Sequence, residues 1–234
     1  MKNTVAIVTG AGRGIGRAIA RRFAAQGVFV IPVARSQEDL AQTAGTIESD
    51  GGRCAPYPAD LSHAEQVTAL VDFAQRQAGG VDMLINNAGM AHKSGITEFD
   101  DHAFQAMIGV NVAAPFYAAR AVWPIMRQRG GGVIVNISSI AAQNPFPGLE
   151  IYGASKAFVD GLTRGLAREG QPHGIRVYGV APGAVETQML RASFPEIPAD
   201  QCLQPEDVAH MVWTLTLPAC RYSVGQTIIV NKVN

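Results

Sequence analysis

No apolar run in this chain approaches the ~18 to 20 residues that a membrane-spanning helix requires. The sequence opens almost at once into a short β-rich stretch, so neither a membrane span nor a leader peptide is expected. An excess of one charge is lacking too: 19 Lys and Arg balance 19 Asp and Glu, which removes the electrostatic case for nucleic-acid binding. Cysteine is scarce. Cys54, Cys202 and Cys220 lie far apart, fit neither a metal-ligand nor a redox spacing, and read as reduced thiols of a cytoplasmic protein. The five histidines form no His-x-x-x-His pattern, so no metal is expected. Linkers rich in Pro or Ser, low-complexity tracts and internal repeats are all missing. A chain of 234 residues, 47% hydrophobic and 16% charged, then suits a single domain over residues 1–234 with a large core.

What the chain does hold is an alternation of apolar runs with amphipathic stretches. Strands are expected near residues 4–9, 28–34, 53–58, 81–86, 132–138, 175–180 and 226–230, and helices over 14–26, 37–50, 63–78, 111–129 and 152–171. Strands that are apolar throughout, separated by helices, imply a parallel sheet covered on both faces. The expectation is an α/β, Rossmann-type doubly wound sheet of about seven strands, with ligands at the carboxyl ends of the strands.

The first strand breaks into Thr9-Gly10-Ala11-Gly12-Arg13-Gly14-Ile15-Gly16 before a helix. A strand, a glycine-rich turn and a helix N-terminus present backbone N–H groups and a dipole to an anion, so a dinucleotide phosphate is expected there. The end of the second strand bears on which dinucleotide. A carboxylate at that point would bond a free ribose 2′-hydroxyl; the chain has Ala34 and Arg35 instead, with Arg13 in the glycine turn as a second guanidinium. NADP(H) is favoured over NAD(H). Glu38 and Asp39 read as complements to the dipole of the next helix.

Tyr152 and Lys156 stand four residues apart, one helical turn, and Ser139 ends the apolar run that begins at Val133. A free phenol titrates near ~10, and bringing it to neutrality takes roughly 4 kcal/mol, which a partly desolvated lysine cation can supply. A serine hydroxyl could meanwhile hold a carbonyl oxygen. Ser138 competes with Ser139 for that part.

The ordered set formed by the glycine turn of residues 9–16, Asp60-Leu61, Asn86-Asn87-Ala88-Gly89, Asn111, Ser139, Tyr152, Lys156 and Pro182-Gly183 with Thr187 resembles the motifs of single-domain short-chain dehydrogenases/reductases. The resemblance implies that Tyr152 is the general acid for ketone reduction and the base for the reverse reaction. By the same likeness Lys156 lowers the pKa of Tyr152 and bonds the nicotinamide ribose, Ser139 polarises the carbonyl, and Asn111 holds a water of a proton relay. The family's spacing selects Ser139 over Ser138. Asp60 would face the adenine, Asn87, Ala88 and Gly89 would run along the cofactor, Val185 with Thr187 would contact the carboxamide, and Leu61, Pro182 and Gly183 would be further cofactor-binding residues. The likeness also implies a homodimer or homotetramer through the helices 111–129 and 152–171. Phe116, Ala119, Val122 and Met126 are candidates for that face, unless they are buried against the chain's own sheet.

Substrate walls are expected from the segments after Ser139 and after Gly183: Phe146, Leu149, Met189 and Phe194 as apolar residues, Gln143 and His92 as polar ones. About seventeen residues separate Thr187 from the next helix, so the pocket should be open. The stretch Ser223 to Asn231 is similar to the last strand of 3-oxoacyl-(acyl-carrier-protein) reductases, except that Lys232-Val233 replaces the usual Gly-Gly. A 3-oxoacyl thioester or related keto substrate stands beside hydroxy-acid, serine-like and sugar or polyol substrates. A non-catalytic NADP-binding regulator is the alternative of another class.

Overall fold

The computed structural model describes residues 4–232. Its strands are β1 (Val5–Thr9), β2 (Phe29–Ala34), β3 (Arg53–Cys54), β4 (Tyr57–Pro58), β5 (Met83–Asn86), β6 (Gly132–Ile137), β7 (Ile175–Pro182) and β8 (Thr227–Val230). The helices between them are α1 (Gly14–Ala25), α2 (Gln37–Ser49), α3 (Ala64–Ala78), α4 (Asp101–Met107), α5 (Ala114–Gln128), α6 (Glu150–Gly170), α7 (Gln188–Ser193) and α8 (Pro205–Thr216). All strand pairs are parallel, in the order β3-β2-β1-β5-β6-β7-β8, with β4 also paired to β2. β3 and β4 share one edge position, so the sheet has the seven positions read from the sequence. Pro56 separates them: it has no N–H for the ladder, so the edge strand breaks where an uninterrupted run over 53–58 was expected.

Neighbouring residues of one strand serve opposite faces. Ala6 and Val8 pack with Ile19, Phe23, Val208 and Val212 of α1 and α8, while Val5 and Ile7 pack with Leu70, Val122 and Met126 of α3 and α5. This is why the strands are apolar throughout. On the first side Phe23 meets Trp213 edge to face, with ring centroids 5.2 Å apart. No helix among the described residues is long and apolar enough to cross a membrane.

Two helices depart from expectation. The helical path expected to begin at residue 111 starts at Asp101, where the Asp100 carboxylate accepts from Ala103 N–H at 2.8 Å. It runs through a π-helical turn at Ile108–Ala113 into α5. The early part carries no apolar period in the sequence, because only Ala103 and Met107 of α4 are buried. α6 begins at Glu150, two residues ahead of expectation, which places Tyr152 in its first turn.

The expected association face is also corrected. Ala119, Val122 and Met126 are buried in the chain's own core, and Phe116 alone of the four is exposed. The stripe follows the core because α5 lies flat on the sheet.

A buried ladder ties the central strands to α6: Asn86 Nδ2 donates to Asn136 Oδ1 at 2.9 Å, and Asn136 Nδ2 donates to Thr163 Oγ1 at 2.9 Å. Thr163→Val leaves that amide unpaired, and chemical denaturation is expected to read a loss of about 1–3 kcal/mol.

Candidate active site

The carboxyl ends of β1, β5, β6 and β7 open onto one cavity of about 1340 Å³. The order of strands reverses at β1 and β5, the position where such sheets leave a crevice. Its outer stretch is the glycine turn. Gly10 and Gly14 hold φ of 64° and 53°, which side-chain-bearing residues rarely adopt. A Cβ at Gly16 would lie 2.2 Å from the Gly10 carbonyl oxygen. The first turn of α1 has neither an acidic residue nor a side-chain cap, so its N–H groups remain for an anion. Thr9 and Asn87 lace this turn to the end of β5: Thr9 Oγ1 accepts from Asn87 N at 2.9 Å and Ala88 N at 3.0 Å, while Asn87 Nδ2 donates to Thr9 O at 2.9 Å. Such a cradle fits a dinucleotide.

Arg13, Arg35, Asp39, Asp60 and Leu61 line the same cavity. Arg13 and Arg35 are exposed, and Arg13 Nη1 donates to Gln188 Oε1 at 2.6 Å. Burial pushes the Asp60 carboxyl up, but hydrogen bonds from Ser62 and the charges of Arg35 and His63 hold it below the usual range. Asp39 is a wall residue that its sequence position did not disclose: α2 starts against the glycine turn, so a Cβ at Gly12 would lie 2.8 Å from the Asp39 Cβ.

At the inner end stand Ser139, Tyr152 and Lys156. The two serines face different ways. Ser138 is buried and donates to the Lys156 carbonyl at 3.3 Å, whereas Ser139 lies close enough to the Tyr152 phenol to act on its titration. Lys156 is 4% exposed; its Nζ donates to Ile137 O at 2.9 Å and lies 5.8 Å from the centroid of the Tyr152 ring. Burial raises the Tyr152 pKa, and the Ser139 hydroxyl opposes that shift. The direction is opposite to the one expected from a lysine neighbour, because desolvation is the largest influence. Burial also lowers Lys156 to about 8, with the Asp160 carboxylate opposing.

Asn111 is not on the cavity wall. Its Oδ1 accepts from Met90 N at 2.9 Å, and its Nδ2 donates to Met90 O and Ser155 Oγ, both at 2.9 Å. The amide is thus committed to pinning Met90 and α6. A Cβ at Gly89 would lie 3.3 Å from Lys156 Nζ and 3.4 Å from Asn111 Oδ1, so a side chain there would press on the lysine ammonium.

Phe146, Leu149, Met189 and Phe194 line the remaining wall, joined by Met90 and Leu190, which sequence reasoning missed. Phe146 and Met189 are 50% and 41% exposed, so the mouth is open to solvent. His92 and Gln143 are off this wall. The His92 ring packs edge-on against Phe99 at 5.1 Å, and Gln143 is exposed after a 3-10 turn.

Residues 185–203 form a cap organised by Arg191. Its guanidinium bonds both Glu186 oxygens, with Nε to Oε1 at 2.7 Å, and donates to the carbonyls of Pro195 at 3.3 Å and Ile197 at 2.6 Å. Lys93 Nζ sits 4.3 Å above the Phe194 ring. Lys232, one of the two residues noted above in place of Gly-Gly, donates to the carbonyls of Asp200 and Cys202 and ties down the base of the cap. Val233 lies outside the described residues.

A model of the family described as short chain dehydrogenase matches residues 4–198. The 3alpha-hydroxysteroid dehydrogenase of Mediterraneibacter gnavus is 36% identical over 243 residues, covering 99% of this chain and 96% of that protein. Among solved structures, the 3-ketoacyl-(acyl-carrier-protein) reductase of Brucella melitensis complexed with NADH superimposes with a TM-score of 0.91 at 33% identity, covering 98% of this chain and 97% of that one. The gluconate 5-dehydrogenase of Burkholderia cenocepacia in complex with NADP and tartrate gives a TM-score of 0.92 at 29% identity, covering 99% and 94%. Together with the parallel sheet and its glycine cradle, these matches make the chain a member of the short-chain dehydrogenase family of oxidoreductases.

Proposed function

We propose that the protein is an NADP(H)-dependent oxidoreductase that reduces a ketone to a secondary alcohol, or runs the reverse. The observation that carries this reading is the convergence of Ser139, Tyr152 and Lys156 at the inner end of the cavity whose outer end is the glycine cradle. Gly10, Gly12, Arg13, Gly14, Ile15 and Gly16 hold the diphosphate; Asp60 and Leu61 hold the adenine side. Asn87, Ala88 and Gly89 flank the chain of the cofactor, with Pro182, Gly183, Val185 and Thr187 at the nicotinamide end. A reduced nicotinamide supplies hydride when bound. Ser139 donates a hydrogen bond to the substrate carbonyl oxygen, and Tyr152 passes its phenolic proton to that oxygen as negative charge develops there. Lys156 stabilises the phenolate left behind and holds the nicotinamide ribose. Asn111 acts through its bonds to Met90 and Ser155, which fix the loop after β5 against α6.

Arg35 and Arg13 support NADP(H), since both are exposed on the wall that a 2′-phosphate would meet. Asp39 on the same wall favours NAD(H) as the second reading. Fluorescence titration separates them. NADPH is expected to bind at least about tenfold more tightly than NADH, as a charge-assisted contact of about 1.5–3 kcal/mol implies, and Arg35→Ala is expected to remove most of the gap. Equal affinities in the parent protein would refute the NADP(H) assignment, and tighter binding of NADH would transfer it to NAD(H).

The named relatives act on steroid, acyl-thioester and sugar-acid substrates by their names alone, and the open apolar wall admits a 3-oxoacyl thioester or related keto compound. Hydroxy-acid and polyol substrates complete the panel for following NADPH oxidation. A cytosolic location fits the three free cysteines. A homo-oligomer is part of the reading, with exposed Phe116 of α5 and Phe158 of α6 as contact residues.

A further inference from the structure

α6 carries Tyr152, Lys156 and Asp160 at successive turns, and the proposed chemistry uses only the first two. Asp160 is nevertheless as hidden as its neighbour, 7% exposed against 4% for Lys156. Its Oδ1 accepts a hydrogen bond from Thr227 Oγ1 of β8 at 3.0 Å, and no cation among the described residues lies within ion-pair distance. A buried carboxylate served by a neutral hydroxyl is costly unless a positive charge acts on it from slightly further away. Lys156, one turn back on the same buried side, is the cation so placed.

The rest of the neighbourhood is neutral. β6, β8, the π turn and the 3-10 turn at Ile140–Ala142 contain no charged residue. Arg176 of β7 sends its guanidinium to the carbonyls of Thr216 and Leu217 at 2.8 and 3.0 Å. Asp101 and His102 of α4 are exposed, as is Arg164, one turn beyond Asp160. The Lys156 ammonium itself bonds a neutral group, the Ile137 carbonyl.

We propose that Asp160 is a positioning residue of the reaction. Tethered to β8 through Thr227, its carboxylate keeps the Lys156 ammonium charged and so preserves proton donation by Tyr152 to higher pH than the lysine would sustain alone. The inference rests on the reading of Tyr152 and Lys156 as the acid/base pair. Burial already draws Lys156 down to about 8 against the pull of Asp160, while it moves Tyr152 upward, so the two titrations separate and a fall in reduction rate near pH 8 belongs to the lysine. Removing a nearby negative charge destabilises the ammonium. The limb must then move to lower pH.

The test is Asp160→Asn, which retains the shape and an acceptor for Thr227. The pH profile of kcat/KM for ketone reduction is expected to shift its upper limb down by about one unit, with the rate near pH 6 within about twofold of the parent. Asp160→Glu should return part of the shift. Thr227→Val, which leaves the charge but cuts its tether, provides a second variant should the Asn protein not fold, and is expected to move the limb in the same direction by less. NMR titration of the Lys156 side chain, free of any turnover, reads the coupling directly. Coincident Lys156 titrations in the parent and the variants would overturn the inference. A displaced Lys156 titration in a protein that reduces no ketone with either cofactor would overturn the acid/base reading, and the role of Asp160 in the reaction with it.

Discussion

Tyr152→Phe is expected to lower ketone reduction by about two to four orders of magnitude, the range that a positioned proton donor contributes, and to leave dinucleotide affinity within about twofold. The phenol is held above the usual range by burial, so at neutral pH it stands protonated, the form that the proposed donation requires. Phenylalanine keeps the ring, and with it the packing of the first turn of α6, but has no proton to give. Ser139→Ala makes the complementary measurement: its hydroxyl can hold the carbonyl oxygen but cannot replace the phenol, so it should cost less than Tyr152→Phe. Steady-state rates at saturating cofactor, with binding followed separately by fluorescence, distinguish a lost donor from a lost site. Turnover that survives Tyr152→Phe would remove the proton-donor assignment.

Gly16→Ala has the next largest expected effect, and it acts through the backbone. The added methyl would meet the Gly10 carbonyl at 2.2 Å and Asn87 Nδ2 at 2.5 Å, two groups already bonded to each other at 3.2 Å. Neither can yield cheaply, because Asn87 also holds the end of β1 through Thr9. Overpacking of this kind costs about 1–3 kcal/mol, and a chain of this size loses about 2–4 °C of melting temperature per kcal/mol. Because the strain falls in the phosphate cradle, cofactor affinity should fall by more than about tenfold as well. Gly45→Ala is the internal comparison. Gly45 lies within α2 with nothing inside 4 Å of the new methyl, and the same substitution is expected to raise stability by up to about 1 kcal/mol.

These two sites also show what could be read from the chain alone. The glycines of residues 10–16 and the one-turn spacing of Tyr152 and Lys156 are local patterns, and local patterns survive in a linear sequence. The strands were legible for a related reason: with both faces buried, β1 and β6 are apolar at nearly every position, whichever side each residue faces. Elements with little buried surface left no such trace, and α4 with its π turn was missed for that reason. Direction was harder still. Ser138 and Ser139 are adjacent and chemically identical, and their separation into a hydroxyl bonded to the Lys156 carbonyl and one beside the Tyr152 phenol depends on where α6 lies. The Ala119, Val122 and Met126 stripe had the spacing of an interface and of a core alike, and only the position of the sheet decides between them. Asp39 became a wall residue through contact between α2 and the glycine turn, elements separated by a whole strand.

The cap over residues 185–203 is stitched by its own groups and moored to the rest of the chain by Arg13, Lys93 and Lys232. Arg191 satisfies Glu186, Pro195 and Ile197 at once, Thr187 caps α7, and Val185 pairs with Leu203 to close the base. A segment stitched internally in this way behaves as a cassette. Met189 on its inner surface therefore shapes the cavity wall without carrying any of the bonds of Arg191, which separates the surface a ligand meets from the contacts that hold the segment's course.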